Sequence, residues 1–539
     1  METILLVDDE PANIFMLQSI LQKNGYHSKS CRSGPKALEM LRNNDIDLVL
    51  LDVMLIGIDG YETCKRIKNY NPDIPVILVT ALTGSDDLKR GFEAGAVDYI
   101  KKPIDATELI SRIKSALKIA NAEKHFKNAY LEVMRDLDIA SQIQSYMLPE
   151  QFVIADDLIF CSKYTPCGKI GGDLFDIIKI SQSKYFIYIA DISGHGIQAA
   201  LLMAAVKSII KMIVGQSEGN SSPCHIINKV NTVMSEDMFK DNYVTILAGY
   251  IDLHEQTFRY FNAGHPPIIE YDIQTGKTQT CSSTGSIPVG WAADMTYAPE
   301  NESCLKLDAN TIFFLYTDGI IECENATAGQ LGIAGLAGLL ENITTVESCL
   351  LLPHKLEQQL LDADYMVSAD DFSMLTFQKI AKLEKRWCFD LSEMADLKTC
   401  ELGAAGSMLA SVGTAGLLCN EKITEWTNDP DLAARTEIVL TEFLNNILIH
   451  SLRKKRGSVV VELSAKDVVR MRFFDSGIDW QPNMACGPSE NLFDNQDRYA
   501  DCGLGMKMIR TLASSFTRRR FGQVNETVIE MDRAMAHAR

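Results

Sequence analysis

Four short acidic motifs between residues 171 and 371 are the clearest sign of chemistry in this chain. In order, they are Gly171-Gly172-Asp173, Asp191-Ile-Ser-Gly194-His-Gly196, Thr317-Asp318-Gly319 and Ala369-Asp370-Asp371. An isolated Asp-Gly pair is usually only a turn. Four acidic motifs beside strand-like apolar runs instead suggest carboxylates that converge on hard divalent cations. The series therefore predicts metal-assisted hydrolysis.

Two cations held close together would allow such a site to hydrolyse a phosphomonoester, because they generate hydroxide and clamp the phosphoryl oxygens. The candidate ligands are one carboxylate from each motif and a backbone carbonyl: Asp173, Asp191, Ile192, Asp318 and Asp370. Glycines beside the acids let the backbone approach closely. The alternative is a degenerate fold in which these loops are only structural.

A second acidic set lies near the N-terminus. Asp8 and Asp9 close one apolar run, and Asp52 closes another. In a doubly wound parallel sheet these strand ends share a crevice, where crowded carboxylates repel one another unless a cation such as Mg²⁺ lies among them. Thr80 and Lys102 follow later strands and offer a hydroxyl and an ammonium group to a phosphoryl group. The five residues together suit a phosphorylated aspartate.

A third set lies in the last part of the chain. Glu442, Asn446 and His450 recur at i, i+4 and i+8, which places them on one face of a predicted helix. The amide oxygen of Asn446 can coordinate Mg²⁺, and Glu442 can accept a proton. His450 is interpreted as a helix-face residue rather than a phosphorylation site.

Two glycine motifs follow this helix. Asp475-Ser-Gly477 comes after an apolar run, and its aspartate can accept the amino proton of adenine. Gly503-Leu-Gly505 opens another helix, where a glycine turn admits phosphates to backbone N–H groups. Each motif is weak alone, but their order predicts an ATP site.

The elements that would position the N-terminal set alternate between apolar strands and amphipathic helices over residues 1–120. Strands are predicted at Ile4–Val7, Leu48–Leu51, Val76–Val79 and Tyr99–Ile100, and helices at Ile14–Gln22 and Gly34–Arg42. This alternation predicts an α/β doubly wound domain with a parallel sheet covered on both faces.

Residues 121–149 are predicted to form a coiled-coil linker helix. Apolar residues recur at steps of three and four on a seam made of Ala116, Ile119, Phe126, Tyr130, Val133, Leu137, Ala140 and Met147. Glu123 and Gln144 are the polar exceptions on that seam, and the helix is expected to end at Pro149. A homodimer is the favoured interpretation, and an amphipathic helix packed on its own chain is the alternative.

The remaining chain reads as two α+β regions, at 150–380 and 385–539. Strands of the first are predicted at Tyr185–Ala190, Thr245–Tyr250, Ile312–Tyr316 and Phe372–Phe377, and a helix is predicted after Gly196. The antiparallel character of this region would place the acidic motifs at strand ends.

Length and charge limit the possible functions. A chain of 539 residues should contain three or four domains. Its net charge of -19 disfavours nonspecific binding to nucleic acid or to an anionic membrane. The Arg518-Arg519-Arg520 cluster is too small for a recognition surface and is expected on a strand edge.

The cellular location is expected to be the cytoplasm. The fourteen cysteines are scattered without a Cys-x-x-Cys pair, and no signal segment precedes the first strand. No uninterrupted apolar stretch is judged long enough to span a bilayer. The cysteines are therefore expected to be reduced and mostly buried.

Residues 1–120 resemble the receiver domain of two-component response regulators. The resemblance implies that Asp52 is the phosphoacceptor, that Asp8 and Asp9 hold Mg²⁺, and that Thr80 and Tyr99 form a switch pair. It also implies a cis peptide at Lys102–Pro103.

Residues 137–379 resemble the metal-dependent (PPM) serine/threonine phosphatases in their bacterial SpoIIE/RsbU branch. Asp138-Ile-Ala-Ser-Gln-Ile-Gln, Met147-Leu148-Pro149 and Asn262-Ala-Gly-His-Pro266 also match. By this resemblance Asp191 bridges two Mn²⁺ or Mg²⁺ ions, and Asp370 is preferred to Asp371 because the family's ligand is usually the first of the pair.

Residues 385–539 resemble the GHKL ATPase fold, and within it the anti-sigma-factor serine kinases. Two departures stand out: Gln481–Ala500 is unlike a glycine-rich ATP lid, and the second glycine motif is short. ATP binding with Mg²⁺ is expected, and transfer of phosphate to a protein serine is the favoured activity.

The three resemblances together imply a partner-switching regulator. An upstream sensor histidine kinase would act on the receiver, and a STAS-type anti-sigma-factor antagonist would be the substrate, with effects on a sigma factor and no DNA contact. The alternative is a C-terminal domain that sequesters a sigma factor or antagonist without phosphorylating it.

Overall fold

The computed structural model describes residues 2–81, 85–217, 219, 221–235, 242–281, 286–292, 294–343, 346, 348–366, 370–380, 386–390, 404–452, 459–465, 468–478 and 504–532. The chain divides into two compact units, Met1–Asp138 and Ile139–Arg539.

The first unit is built on a five-stranded parallel sheet. Its strands are β1 (Thr3–Val7), β2 (His27–Cys31), β3 (Leu48–Asp52), β4 (Val76–Thr80) and β5 (Asp98–Lys101), and its first four helices are α1 (Pro11–Lys23), α2 (Gly34–Asn43), α3 (Gly60–Tyr70) and α4 (Ser85–Glu93). The strand order is β2-β1-β3-β4-β5. Separate apolar clusters cover the two faces, one around Leu5 and Val49 and the other around Leu6 and Leu50. The predicted doubly covered parallel sheet is confirmed.

Strand β2 was not among the predicted strands. Its sequence, His-Ser-Lys-Ser-Cys, contains no apolar run. It lies at the edge of the sheet and is only partly buried, so that it does not need the continuous apolar sequence of a central parallel strand.

The helix α5 (Ala106–Met147) is continuous over 42 residues. The predicted boundary between the receiver domain at 120 and the linker at 121 therefore falls inside one helix, because no glycine or proline interrupts it there. Several apolar side chains along it are exposed, among them Phe126 and Tyr130. Pairing of this helix with a second copy stays a prediction.

The second unit begins with two antiparallel sheets packed face to face. The strands are β6 (Phe152–Ala155), β7 (Leu158–Thr165), β8 (Leu174–Lys179), β9 (Lys184–Ile192), β10 (Val244–Asp252), β11 (Thr257–Ala263), β12 (Ile269–Asp272), β13 (Lys277–Thr280), β14 (Ser303–Lys306), β15 (Thr311–Tyr316), β16 (Glu324–Asn325), β17 (Gly329–Gln330) and β18 (Phe372–Lys379). One sheet has the order β14-β11-β10-β9-β8 and the other β13-β12-β15-β18-β7-β6, while β16 and β17 form a separate two-stranded sheet. Phe258 of the first sheet packs edge-on against Phe377 of the second, with ring centroids 5.1 Å apart.

Helices cover the outer faces of this sandwich. They are α6 (Ile197–Ser217), α7 (Pro223–Met234), α8 (Asp318–Ile321), α9 (Gly332–Asn342) and α10 (Leu352–Asp362). Met203 and Val230, from α6 and α7, pack on the first sheet, and Leu336 and Leu356, from α9 and α10, pack on the second. The predicted α+β phosphatase-like sandwich is thus observed as a helix–sheet–sheet–helix arrangement.

Helix α6 has an apolar composition that bears on the expected absence of a membrane span. Over Ile197–Ser217 it is long and apolar enough to meet the criteria for a membrane span. Buried Lys207 interrupts its apolar run and pairs with Asp176 of β8. The apolar composition is explained by the face that packs in the sandwich, which includes Val206 and Ile210.

The last part of the second unit has a five-stranded antiparallel sheet with helices on one face. The strands are β19 (Arg386–Asp390), β20 (Val459–Ala465), β21 (Val469–Asp475), β22 (Ser515–Phe521) and β23 (Val524–Met531), and the helices are α11 (Ala404–Thr427), α12 (Pro430–Asn446) and α13 (Leu504–Leu512). The order is β19-β20-β21-β23-β22, so the arginine cluster at 518–520 lies on an edge strand, as predicted.

Part of the sheet face opposite these helices is buried against the preceding sandwich. Val460, Phe474 and Val524 join the same apolar cluster as Leu350 and Leu356 of the preceding sandwich. One apolar cluster therefore crosses the predicted boundary at 380–385, while the helix-covered face of the C-terminal sheet has a core of its own that includes Val439 and Phe473.

Candidate active sites and metal centres

The first acidic set converges at the carboxyl ends of β1 and β3. Oxygens of Asp8, Asp9 and Asp52 all lie within 4.8 Å of one another. Asp8 and Asp52 are nearly inaccessible, with 2% and 4% exposure. One oxygen of Asp52 is buried without a hydrogen-bond partner among the described residues. A hard cation with oxygen ligands fits this donor set.

Lys102 supplies a positive charge to the same place. Its Nζ lies 3.2 Å from Oδ2 of Asp8 and 3.0 Å from Oδ2 of Asp52. Burial raises the pKa of Asp52, and the Lys102 ammonium partly opposes that rise. Burial alone would lower the pKa of Lys102, but Asp52 and Asp8 raise it. The peptide Lys102–Pro103 is cis, as the sequence predicted.

The predicted switch pair lies beside this site. Thr80, at the end of β4, is buried, and it lines the same small cavity as Tyr99 of β5. Tyr99 packs edge-on against Phe92 at 6.3 Å, and the guanidinium of Arg112 lies 5.6 Å from the Tyr99 ring.

The four acids of the sandwich influence one another strongly. Burial raises the pKa of Asp173 well above its ordinary range, and the charge of Asp191 raises it further. Burial also raises the pKa of Asp191 to about 7, with further contributions from the charges of Asp318, Asp370 and Asp371. Burial and then the charges of Glu322 and Asp370 raise the pKa of Asp318. The four motifs are therefore brought to one place, where like charges require cations.

Two details fit divalent metals at this site. One oxygen of Asp173 is buried without a hydrogen-bond partner among the described residues. A Cβ at Gly172 would lie 3.1 Å from the carbonyl oxygen of Ile192, so glycine at this position permits the close approach without a shift of the neighbouring backbone. Within the described part of the chain, these acids do not form a three-oxygen group as tight as that of the receiver site. A site for two metals a few Å apart needs a wider arrangement.

The two neighbouring acids at 370 and 371 have different surroundings. The charge of Asp370 acts on both Asp191 and Asp318. Asp371 is 2% exposed, and both of its carboxylate oxygens accept backbone N–H groups, from Cys167 at 2.9 Å and from Gly172. The hydrogen bonds distinguish the two acids, and Asp370 as the metal ligand stays a prediction.

Two supporting residues were missed by sequence reasoning. The Thr317 hydroxyl donates to Asp173 at 2.8 Å and accepts from the backbone N–H of Ser373 at 3.0 Å. His265 is buried and lies 3.0 Å from the Thr245 hydroxyl, while Thr245 is paired across the strands with Asp191. Thr317 and His265 belong to motifs noted in the sequence, but the spacing within those motifs does not indicate which distant residue each side chain contacts.

The end of α5 reaches the first acidic motif. The side-chain amide of Gln144 donates to the Gly171 carbonyl at 2.7 Å and accepts from the Gly171 N–H at 3.2 Å. Gln144 is 6% exposed, so this pair of hydrogen bonds is sheltered from water. The polar exception on the predicted seam therefore has a defined partner two residues before Asp173.

In the C-terminal region, α13 approaches the face of α12 that was predicted to bind nucleotide. A Cβ at Gly505 would lie 2.5 Å from Oε2 of Glu442 and 3.5 Å from Nδ2 of Asn446. That Nδ2 is buried without a hydrogen-bond partner among the described residues. Gly503 lies outside the described residues. The predicted helical face ends at Asn446, because a π-helical turn at Ile447–Ser451 follows, and exposed His450 belongs to that turn.

Asp475 is completely buried in a hydrogen-bonded network. It accepts from the Gly477 N–H at 3.2 Å, from Nδ2 of Asn525 at 2.9 Å and from the Ser451 hydroxyl. Any Cβ at Gly477 would lie 2.2 Å from Oγ of Ser451, so glycine is required at this turn. The network fixes the turn predicted to receive adenine.

Comparison with known protein families agrees with these two acidic sites. Residues 4–114 match the response regulator receiver domain, and residues 181–379 match Stage II sporulation protein E (SpoIIE). The chain carries a receiver domain and a SpoIIE-type phosphatase domain. The SpoIIE match includes Asp191, Asp318 and Asp370, whereas Asp173 lies before its start.

Individual relatives resemble parts of the chain. The transcriptional regulatory protein YvrH of Bacillus subtilis is 40% identical over 117 residues, which is 22% of this chain and 49% of that protein. The chain thus spans about half the length of that relative. The RsbU and RsbW domains of Rv1364c from Mycobacterium tuberculosis are 19% identical, with a TM-score of 0.39 over 71% of this chain and 95% of that one. The SiaA-PP2C domain of Pseudomonas aeruginosa is 20% identical, with a TM-score of 0.38 over 47% of this chain and 98% of that one.

Proposed function

We propose that this chain is a two-component response regulator in which phosphorylation of Asp52 controls removal of phosphate from a serine of an anti-sigma-factor antagonist. The substrate would be a STAS-type protein, and the output would be a change in sigma-factor activity. A sensor histidine kinase would supply the phosphoryl group to the receiver domain. The chain would act in the cytoplasm without binding DNA.

The observation that carries the proposal is the convergence of Asp173, Asp191, Asp318 and Asp370 in a domain of the SpoIIE family. Buried carboxylates that repel one another are arranged to hold cations. Two Mn²⁺ or Mg²⁺ ions, when bound, supply a metal-activated water and clamp the phosphoryl oxygens. The four carboxylates and the Ile192 carbonyl would hold those ions.

In the receiver domain, Asp8 and Asp9 would hold Mg²⁺ beside Asp52. The Lys102 ammonium, 3.0 Å from Asp52, is placed to offset the negative charge that a phosphoryl group brings. Thr80 would donate its hydroxyl to a phosphoryl oxygen. These contacts support Asp52 as the phosphoacceptor.

The Gln144 hydrogen bonds support the coupling of the two domains through α5. Gln144 holds both backbone groups of Gly171, and Gly171 precedes Asp173 by two residues. A change in the position of this helix end would therefore change the position of a predicted metal ligand. Exposed Phe126, Tyr130 and Val133 on the same helix would be covered in a homodimer.

The C-terminal region is proposed to bind ATP with Mg²⁺ in a GHKL-like fold and to phosphorylate the same antagonist. The buried Nδ2 of Asn446 has no hydrogen-bond partner in the described part of the chain, and its place close to Glu442 and Gly505 supports a polar ligand at this position. Glu442 would accept the proton of the serine hydroxyl, and Asp475 with Gly477 would receive adenine. The alternative is that this region only binds and sequesters a sigma factor or the antagonist.

The central test measures release of phosphate from a phosphoserine STAS-domain protein with and without acetyl phosphate. Asp52→Ala should lose the response to acetyl phosphate and keep the basal rate. If wild type and Asp52→Ala respond alike, the proposed coupling is wrong.

A separate test distinguishes the kinase from the binding regulator. Asn446→Ala should abolish ATP-dependent phosphorylation of the antagonist while the two proteins still associate, as measured by phosphoserine analysis and by co-sedimentation. If wild type binds the antagonist and never phosphorylates it in the presence of ATP and Mg²⁺, the binding regulator is favoured.

A further inference from the structure

Asp371 is the point at which three metal-site segments meet. Its two carboxylate oxygens accept the N–H groups of Cys167 and Gly172, which belong to the loop leading to Asp173. Its own N–H donates to Oδ1 of Asp370 at 2.8 Å. Its carbonyl oxygen would lie 2.0 Å from a Cβ at Gly319, the residue after Asp318.

Glycine is required where this carboxylate meets the loop. A Cβ at Gly171 would lie 2.2 Å and 2.3 Å from the two carboxylate oxygens of Asp371. Real Cβ atoms do not approach oxygen so closely, so the Asp371 carboxylate can occupy this position only because residue 171 is a glycine without a Cβ. On its other side Gly171 is held by the Gln144 amide. The loop is thus fixed between the side chains of Asp371 and Gln144.

Both oxygens of the Asp371 carboxylate take part in holding the loop. At 2% exposure, a charged group must be compensated by hydrogen bonds, and the two backbone donors provide that compensation. Because they accept the N–H groups of Cys167 and Gly172, the two Asp371 oxygens point toward the loop that leads to Asp173. The charges of Asp370 and Asp371 both act on Asp191. What sets Asp371 apart is that both of its oxygens accept N–H groups of the loop.

We infer that Asp371 is a positioning residue, which sets the loop carrying Asp173 for metal binding, whereas its neighbour Asp370 is the metal ligand. The inference rests on the phosphatase function proposed above and deepens it. An asparagine at 371 would keep one acceptor oxygen but present an N–H₂ group to the second backbone N–H. One loop hydrogen bond would be lost, and the loop would no longer be held in a single position.

The test compares Asp371→Asn with Asp370→Asn in the full chain. Mn²⁺ binding is measured by isothermal titration calorimetry, and hydrolysis of p-nitrophenyl phosphate is measured as a function of Mn²⁺ concentration. Asp371→Asn should weaken Mn²⁺ binding by roughly 10- to 100-fold, as loss of a group that orients a ligand does, and recover most of the wild-type kcat at saturating Mn²⁺. Asp370→Asn should not recover.

Gly171→Ala provides a second variant that leaves every carboxylate intact. Its added methyl group would push against the Asp371 oxygens, so it should also raise the Mn²⁺ requirement while keeping kcat at saturation. The double variant Gly171→Ala/Asp371→Asn should be little worse than either single variant, because both release the same loop.

The outcomes separate this inference from the function on which it rests. If Asp371→Asn loses activity at every Mn²⁺ concentration while Asp370→Asn is rescued, Asp371 is the ligand and the inference is overturned. If Gly171→Ala binds Mn²⁺ like wild type, the loop does not depend on this contact and the inference is again overturned. If wild type binds no Mn²⁺ and hydrolyses no p-nitrophenyl phosphate, the phosphatase proposal fails as well.

Discussion

The receiver and phosphatase domains both gather aspartates at strand ends, but they balance the negative charge differently. In the receiver domain Lys102 lies within 3.2 Å of Asp8 and 3.0 Å of Asp52. In the phosphatase domain the largest charges acting on Asp191 belong to other carboxylates. The first site therefore contains part of its own counter-charge, whereas the proposed metal ions would have to supply it at the second.

This difference has a chemical reason. If Asp52 accepts a phosphoryl group as proposed, the fixed Lys102 ammonium would offset its charge. If the sandwich site holds two metals as proposed, it would need open coordination positions, for which a lysine among the ligands would compete. On these proposals, the placement of Lys102 would distinguish a site that accepts phosphate from one that releases it.

The largest effect is expected from Asp191→Asn. Loss of the predicted bridging ligand should reduce hydrolysis of p-nitrophenyl phosphate by on the order of 10²- to 10³-fold, because a bound metal contributes several kcal/mol to the transition state. Phosphorylation of the receiver domain by acetyl phosphate should not change. Asp252→Asn, at an exposed turn where Asp252 accepts the N–H groups of His254 and Glu255, is the matched control. Hydrolysis at more than a tenth of the wild-type rate in Asp191→Asn would contradict a bridging role.

Lys102→Ala tests the other side of the comparison. Phosphorylation of Asp52 should slow by roughly 10²-fold, as expected when one fixed charge that stabilises a phosphoryl group is removed. Mg²⁺ affinity, measured by calorimetry, should stay the same or rise, because the acids lose a competing cation. Weaker Mg²⁺ binding in this variant would show that Lys102 organises the acids instead of balancing them. Lys36→Ala, which breaks an exposed pair with Glu39, serves as the control.

Thr317→Val examines how the phosphatase site is ordered. Loss of the hydrogen bond from Thr317 to Asp173 should weaken Mn²⁺ binding by about tenfold, the lower end of the range for groups that orient a metal ligand. Thr376→Val also removes a buried hydroxyl, which donates to the Cys161 and Cys349 carbonyls, and it should lower stability without changing Mn²⁺ affinity. Equal losses of Mn²⁺ affinity in both variants would indicate a general loss of structure.

The smallest effect concerns pH. Because burial and neighbouring charges raise the pKa of Asp191 to about 7, Asp191 carries a proton below that pH, and the proton must leave before a metal binds. Mn²⁺ affinity should therefore fall as pH falls from about 8 to about 6, by at most about tenfold per unit for one proton. Calorimetry in buffers of different ionisation enthalpy would detect the released proton. An affinity that is constant over this range would mean that Asp191 is ionised before the metal arrives.

Much of the receiver domain and of the sandwich follows from local sequence. Runs such as Leu48–Leu51 bury on both faces of a parallel sheet, so that their ends, and therefore Asp52, could be predicted. The four acidic motifs of the antiparallel sandwich could be located because each lies beside a strand-like apolar run. The strand β2 was missed because an edge position removes the need for an apolar run.

Features that depend on long-range register could not be read from the chain. The role of Asp371 arises from contacts with Cys167 and Gly172, which are 204 and 199 residues away. The hydrogen-bond partner of Gln144, Gly171, is 27 residues away in the sequence, and the apolar spacing of the helix indicated only that Gln144 was a polar exception. The π-helical turn at Ile447–Ser451 carries His450 away from the predicted face, and the four-residue spacing of Glu442, Asn446 and His450 gives no indication of that turn.

The apolar face of the C-terminal sheet has a consequence for how such chains are inherited. Phe474 and Val524 fill a core that also holds Leu350 and Leu356 of the phosphatase domain, and Nζ of Lys355 lies 5.2 Å from the ring of Phe521. A gene fusion that replaced this domain with an unrelated one would expose apolar surface on both the phosphatase domain and the displaced C-terminal domain. We therefore expect exchange of the C-terminal domain to require matching changes on the phosphatase surface that faces it.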